Sequence, residues 1–185
     1  MTGIGGDCFV LYSEAGSDEV IALNGSGRAP AALDAANLRA RGEATVPLYS
    51  ADAVTIPTAM DAFCGLSDQV GKLGLDALLA PSIHYADEGV PVAPRVAFDW
   101  ALETEKLKGS AREYYLKDGA ALKTGDIFRA PGQAEVLRRV AKSGRDAFYS
   151  GEIAEDMIAA LTAQGGVHTA ADFAAAASDP STPVE

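Results

Sequence analysis

The sequence predicts an α+β fold: a β-hairpin followed by a mainly helical region. Three observations carry this expectation. Two short segments near the N-terminal end, Phe9 to Ser13 and Glu19 to Leu23, have strand character and are separated by the turn cluster Glu14-Ala-Gly-Ser-Asp18. From Thr55 onward, Met60, Phe63, Leu66, Val70 and Leu73 recur at the spacing of one helix face. The chain has 185 residues, 48% of them hydrophobic and 22% charged, which suits one domain with a real core.

The hairpin comes first. Its first strand alternates toward Cys8, Val10 and Tyr12. Asn24-Gly-Ser-Gly-Arg28 then breaks the strand pattern, and Ala29-Pro30 ends it. Residues 31–54 are alanine-rich with weak periodicity, so a short helix near Pro30–Arg39 and an irregular connection are expected. The helix after Thr55 has Thr55 or Thr58 as its cap and Pro57 near its first turn, where a missing N–H costs nothing. Gly71 and Gly74 close it.

A second helix covers Leu75 to Glu88, with Gly89 and Pro91 as its stop and Pro81 as an expected kink or break. A third begins near Pro94 and carries Val96, Ala97, Trp100 and Ala101. Lys117-Asp-Gly119 and Lys123-Thr-Gly-Asp126 are turns, the latter preceding Ile127 and Phe128. A helix over Gln133–Ser143 is expected to bury Val136, Leu137 and Val140, and one over Glu152–Gln164 to bury Ile153, Met157, Ile158 and Leu161. Thr169-Ala-Ala-Asp172 has the spacing of a capping box. The tail from Asp179 to Glu185 carries no stop signal of its own.

The charge narrows the function. A net charge of −11 disfavours nucleic acid, whose phosphates need a basic stripe, and disfavours anionic membrane surfaces. No apolar run approaches the roughly 20 residues of a membrane span. Cys8 and Cys64 form no C-x-x-C pair, so neither a disulfide framework nor a zinc site is expected, and both read as small buried hydrophobes. His84 on a helix and His168 before a cap read as structural, which leaves few ways to build a Ser-His-Asp site. Asp87-Glu88 and Glu152/Glu155/Asp156 read as solvated faces, and Tyr114-Tyr115 as core and rim.

Two glycine-rich stretches remain. Gly3-x-Gly5-Gly6 precedes a strand, whereas a dinucleotide fingerprint follows a strand and opens a helix. A nucleotide-binding α/β domain is disfavoured accordingly. The glycines read instead as a place of close backbone approach. Asn24-Gly-Ser-Gly-Arg28 is a polar loop at a strand end that offers an amide, a hydroxyl, backbone N–H groups and a guanidinium able to grip a carboxylate. Its alternative reading is a simple turn, with Arg28 paired to an acidic neighbour.

Taken together, Gly3-Ile-Gly-Gly-Asp-Cys-Phe9 and Ala22-Leu-Asn-Gly-Ser-Gly-Arg-Ala-Pro30 resemble the gamma-glutamyltranspeptidase family. So do Thr55-Ile-Pro57, Val70-Gly-Lys-Leu-Gly74, Leu79-Ala-Pro-Ser-Ile83 with Ala86 to Val92, Gly144 to Ala154, and Gly165-Gly166 to Asp172, in family order. The resemblance implies an N-terminal nucleophile hydrolase, an αββα sandwich cut from a precursor into large and small subunits. The small subunit's new N-terminal Thr attacks a gamma-glutamyl or related amide, and the acyl group passes to water or an amino acid.

This chain resembles only an internal part of the large subunit, so no catalytic residue is expected in it. Residues 1–54 would supply a sheet-forming segment with the substrate-side loop, and 55–185 the helical layer of the same domain. Asn24, Ser26 and Arg28 are the substrate-binding candidates. Where transpeptidases carry the Arg that holds the glutamate carboxylate this chain has Ser26, and Arg28 stands two residues on, as in transpeptidase-like acylases. Along extended chain that keeps the face but displaces the group by roughly 7 Å.

No cofactor or metal is implied. The expected partners are the small catalytic subunit or the remaining large-subunit segments, and a small-molecule amide. Exposed edge strands would otherwise favour a homodimer. Family members are often periplasmic or extracellular. The competing reading is a non-catalytic remnant that serves as a binding or assembly module.

Overall fold

The computed structural model describes residues 3–181. Sequence readings that rest on Met1 or on Thr182 to Glu185 lie outside them. The chain divides into two compact units, residues 3–75 with 142–181, and residues 76–141.

The first unit is built on a three-stranded antiparallel sheet. Strands β1 (Cys8–Tyr12) and β2 (Ile21–Gly25) form the expected hairpin, in register from Cys8 opposite Gly25 to Tyr12 opposite Ile21. β2 runs two residues beyond the expected end, because Asn24 and Gly25 stay in the ladder. Its other edge pairs with a strand formed by Asp179–Ser181, which brings Asp179 opposite Asn24. That segment of the tail is sheet, although two or three residues of Asp, Pro and Ser carry no strand signal.

Helix α1 (Ala35–Ala40) is shorter than expected, because the Asp34 carboxylate caps it by accepting from Ala36 N–H at 2.9 Å. Helix α2 (Ala59–Val70) packs on the sheet through Ala59, Met60, Ala62 and Cys64, all buried. A Cβ at Gly25 would lie 3.0 Å from the Ala62 Cβ, so α2 covers the sheet face that carries Gly25, Leu23 and Val10. Phe9 and Leu11 alternate to the other face and stand about 70% exposed.

The second unit starts with helix α3 (Leu75–Glu88), which continues through Pro81 without the one-turn break that was one of the two expectations there. Strand β3 (Val90–Pro91) is followed by α4 (Pro94–Glu103), with Pro94 at its start, and by α5 (Ala111–Tyr115). A small hairpin joins β4 (Leu116–Lys117) to β5 (Ala120–Ala121). Its turn has Asp118 at φ 53° and Gly119 at φ 79°, the left-handed pair that a tight two-residue hairpin requires. Strand β6 (Ile127–Phe128) pairs with β3, and Phe128 meets Trp100 and Tyr115 with ring centroids 5.1 and 5.7 Å away. Helix α6 (Pro131–Ser143) buries Ala134, Leu137 and Val140, with Val136 only half-buried, and Arg138 pairs with Asp87 of α3.

The chain then returns to the first unit through α7 (Asp146–Tyr149), α8 (Gly151–Thr162) and α9 (Ala170–Ala174), before the Asp179–Ser181 strand, β7. Phe148, Tyr149 and Phe173 are core residues. On α8 only Ala154 is buried, and Ile153, Met157, Ile158 and Leu161 are half-buried, short of the burial expected for that face. The capping box of α9 forms as its spacing predicts. Thr169 accepts from Asp172 N–H, and the Asp172 carboxylate accepts from Thr169 N–H at 2.9 Å.

Candidate functional site

Asn24 to Arg28 leave β2 as a tightly held segment. The Asn24 Oδ1 accepts from Ser26 N–H at 2.9 Å, an Asx turn that bends the chain out of the sheet. The Gly25 carbonyl accepts from the Thr58 hydroxyl at 2.5 Å, and the Arg28 carbonyl accepts from Ile56 N–H at 2.9 Å. Between these two bonds, a Cβ on Gly27 would lie 1.6 Å from the Ile56 carbonyl oxygen. Gly27 is therefore required for close approach. Of the Gly3-x-Gly5-Gly6 stretch expected to make such an approach, Gly3 and Gly5 have nothing within 4 Å of a built Cβ, while the Gly6 carbonyl accepts from Ala59 N–H at 3.0 Å. At the end of β2 the close approach belongs to Gly25 and Gly27.

Thr58 stands at the N-cap of α2, yet its hydroxyl does not cap. It is 2% exposed and engaged with Gly25. The first N–H groups of α2 find distant partners instead. Ala59 N–H donates to the Gly6 carbonyl at 3.0 Å, and Asp61 N–H to the Tyr149 hydroxyl at 2.9 Å.

That hydroxyl in turn donates to the Pro57 carbonyl at 2.8 Å. The Arg145 guanidinium lies 4.6 Å over the Tyr149 ring and pairs with Asp61. It also donates to the Ala176 carbonyl. The second oxygen of Asp61 accepts from the N–H and the hydroxyl of Ser178, at 2.6 and 2.7 Å. Burial pushes the Asp61 carboxyl up, but the Ser178 hydrogen bonds and the Arg145 charge outweigh it and hold the group below its ordinary range. Through Ser178 the network fixes the entry to β7, and so the place of Asp179.

Arg28 emerges from this frame with its side chain 82% exposed and donates to Asp179 Oδ2 at 3.2 Å. Arg28, Ile56, Thr58, Asp172 and Ala175–Ala177 line a cavity of about 210 Å³. Asp172 is engaged there, accepting from Ala31 N–H at 2.9 Å, and this bond leads the contacts that lower its pKa. Of the sequence candidates, the structure places Asn24, Ser26 and Arg28 on one turn. Asn24 Oδ1 makes the turn, and Arg28 presents the guanidinium. The alternative reading, Arg28 paired to an acidic neighbour, matches its ion pair with Asp179, though the sequence did not say which acid; sequence reading missed Thr58 as a clamp and the Asp61–Arg145–Tyr149–Ser178 network. Only the position of Asp61 in a first helical turn carried any signal.

His168 is buried, with Nε2 2.8 Å from the Val54 carbonyl. A carbonyl only accepts, so Nε2 carries a hydrogen, and the buried Nδ1 has no hydrogen-bond partner. His84 is exposed and leans on Tyr85. Among the described residues, no group of three or more His, Cys, Asp or Glu side chains could hold a metal ion. No helix among them is long and apolar enough to cross a membrane.

The family model of gamma-glutamyltranspeptidase matches residues 1–185. The chain belongs to the gamma-glutamyltranspeptidase family, and its fold is a portion of that family's N-terminal nucleophile hydrolase fold. It is 31% identical over its whole length to the glutathione hydrolase-like YwrD proenzyme of Bacillus subtilis, covering 35% of that protein. It is 34% identical to the oxamate amidohydrolase proenzyme of Klebsiella pneumoniae, with 95% of this chain and 34% of that protein aligned. The chain thus spans about a third of the curated relatives it matches.

Among solved structures, cephalosporin acylase from Bacillus halodurans superposes with a TM-score of 0.92 at 34% identity, over 98% of this chain and 35% of that one. The gamma-glutamyltranspeptidase of Helicobacter pylori gives 0.89 at 26% identity, over 98% and 53%.

Proposed function

We propose that this chain is the part of a gamma-glutamyltranspeptidase-like amidohydrolase or acyltransferase that presents the substrate-side loop 24–28 and a helical layer. The nucleophilic Thr would lie outside these residues. The observation that carries this reading is the match to the family over all of 1–185, combined with coverage of only about a third of the proenzyme relatives.

In this reading the Thr hydroxyl attacks the amide carbonyl, its own amine takes the proton and passes it to the amide nitrogen, and the C–N bond breaks to release the substrate's amine and leave the acyl group as an ester on Thr. The acyl group then passes to water or to an amino acid. This chain's contribution is to hold the acyl group. Ser26 offers a hydroxyl and Arg28 a guanidinium, on a turn whose backbone is fixed at Gly25 and Arg28 by Thr58 and Ile56. The partner is the small subunit together with the remaining large-subunit segments, seated on the sheet face where Phe9 and Leu11 are exposed.

That same face favours a second reading, a non-catalytic binding or assembly module. Intact-mass measurement and N-terminal sequencing of the protein from its native source separate the two. A co-purifying chain that begins with Thr, with release of amine from amide substrates, is the outcome expected of the enzyme. A lone species near 19.1 kDa without turnover would leave the module.

A further inference from the structure

We infer that Asp179 is a specificity-determining residue, which neutralises Arg28 and turns the 24–28 loop against acyl groups that end in a carboxylate. The inference rests on the hydrolase reading for its substrate class, but its physical content is in the ion pair itself. Arg28 is the one cation on the loop, and a free guanidinium there would draw a carboxylate into a two-pronged grip. The carboxylate of Asp179 already occupies one prong at 3.2 Å.

The pairing is built by the fold. β2 places Asp179 opposite Asn24, and Ser178 beside it is held by two hydrogen bonds to Asp61. The Arg28 backbone is anchored through its carbonyl to Ile56. Both partners thus start from fixed backbone.

With its side chain 82% exposed, Arg28 keeps N–H groups that face solvent. A neutral acceptor, such as an amide or ester carbonyl, can take these without opposing charge. An incoming carboxylate meets a pair of zero net charge and the repulsion of Asp179. Exposed ion pairs are worth about 0.2–1 kcal/mol, which corresponds to discrimination of up to about fivefold.

The test compares the assembled full-length enzyme with its Asp179→Asn variant on two isosteric anilides, glutaryl and 4-carbamoylbutyryl, which differ in the charge at the acyl end. The expected result is that the carboxylate-to-amide ratio of kcat/KM rises about threefold to fivefold in the variant. Adding Arg28→Ala to the variant should abolish the rise, and raising salt should shrink it. A second readout needs no turnover: glutarate titrated against the Arg28 guanidinium NMR signal should bind correspondingly tighter to the variant.

An unchanged ratio together with unchanged glutarate binding overturns the inference. So does a rise that survives loss of Arg28. Tighter glutarate binding without turnover of either anilide by the parent enzyme leaves the inference standing and removes the hydrolase reading.

Discussion

The Thr58 hydroxyl donates to the Gly25 carbonyl at 2.5 Å, across 33 positions of sequence and inside the core. This bond joins the start of α2 to the last residue of β2, at the point where the chain turns toward Arg28. Both groups are buried, so the bond is costly to break. Replacing Thr58 by Val keeps the shape and strands the carbonyl, and should lower stability by about 1–3 kcal/mol in chemical denaturation. Thr58→Ser restores the donor and should recover most of the loss. Equal destabilisation by Ser and Val would show that the methyl group, not the hydrogen bond, carries the effect.

Gly27 makes a sharper prediction. A Cβ there would sit 1.6 Å from the Ile56 carbonyl oxygen, which no side-chain movement can relieve. Gly27→Ala must push the loop away from Ile56 and stretch the bond from Ile56 N–H to the Arg28 carbonyl. A loss of more than 2 kcal/mol is expected, on the order of the overpacking penalties seen in cores. Gly5→Ala is the control. It has nothing within 4 Å and should change stability by about 0.5 kcal/mol or less. Matching thermal unfolding curves for the two variants would refute the close-approach assignment.

These two glycines show what was legible in the sequence. The hairpin, α3 to its last residue, the start of α4 and the capping box of α9 were readable because each is written in local spacing and turn chemistry. The loop at 24–28 was readable as a polar turn for the same reason. Which glycine is crowded was not, because crowding at Gly27 comes from Ile56, nearly 30 positions away. The strand at Asp179–Ser181 was hidden likewise, since its order comes from the edge of β2 and from Asp61 holding Ser178. Thr58 misled because a Thr before a helix usually caps it, and here Gly6 and Tyr149 serve the first turn. β1 keeps the expected alternation, whereas the apolar face of α8 is only half-buried, because apolar spacing marks a face without saying what covers it.

The Asp61 network gives the acid limb of stability. Asp61 is folded into two hydrogen bonds from Ser178 and an ion pair with Arg145, with 13% of its side chain exposed. Its carboxyl is held below the ordinary value of about 3.9. A carboxylate with a depressed folded pKa binds its proton more weakly when folded than when unfolded. Its contribution is therefore fully present above the unfolded value and is lost as pH falls through the folded one.

Stability measured by urea unfolding should accordingly hold between about pH 5 and 7 and fall below about pH 4. Asp61→Asn should lower stability at pH 7, because it removes the charge from the ion pair with Arg145 and leaves that guanidinium only the exposed Asp146 carboxylate, at 3.3 Å. The cost is expected at about 1–3 kcal/mol, as for a part-buried hydrogen-bonded group that loses a charged partner. The variant should also flatten the acid slope, since the group that takes up the proton is gone. A variant that loses stability at pH 7 yet keeps the full slope below pH 4 would place the titration elsewhere, with the capping carboxylate of Asp172, also depressed, next to be tested.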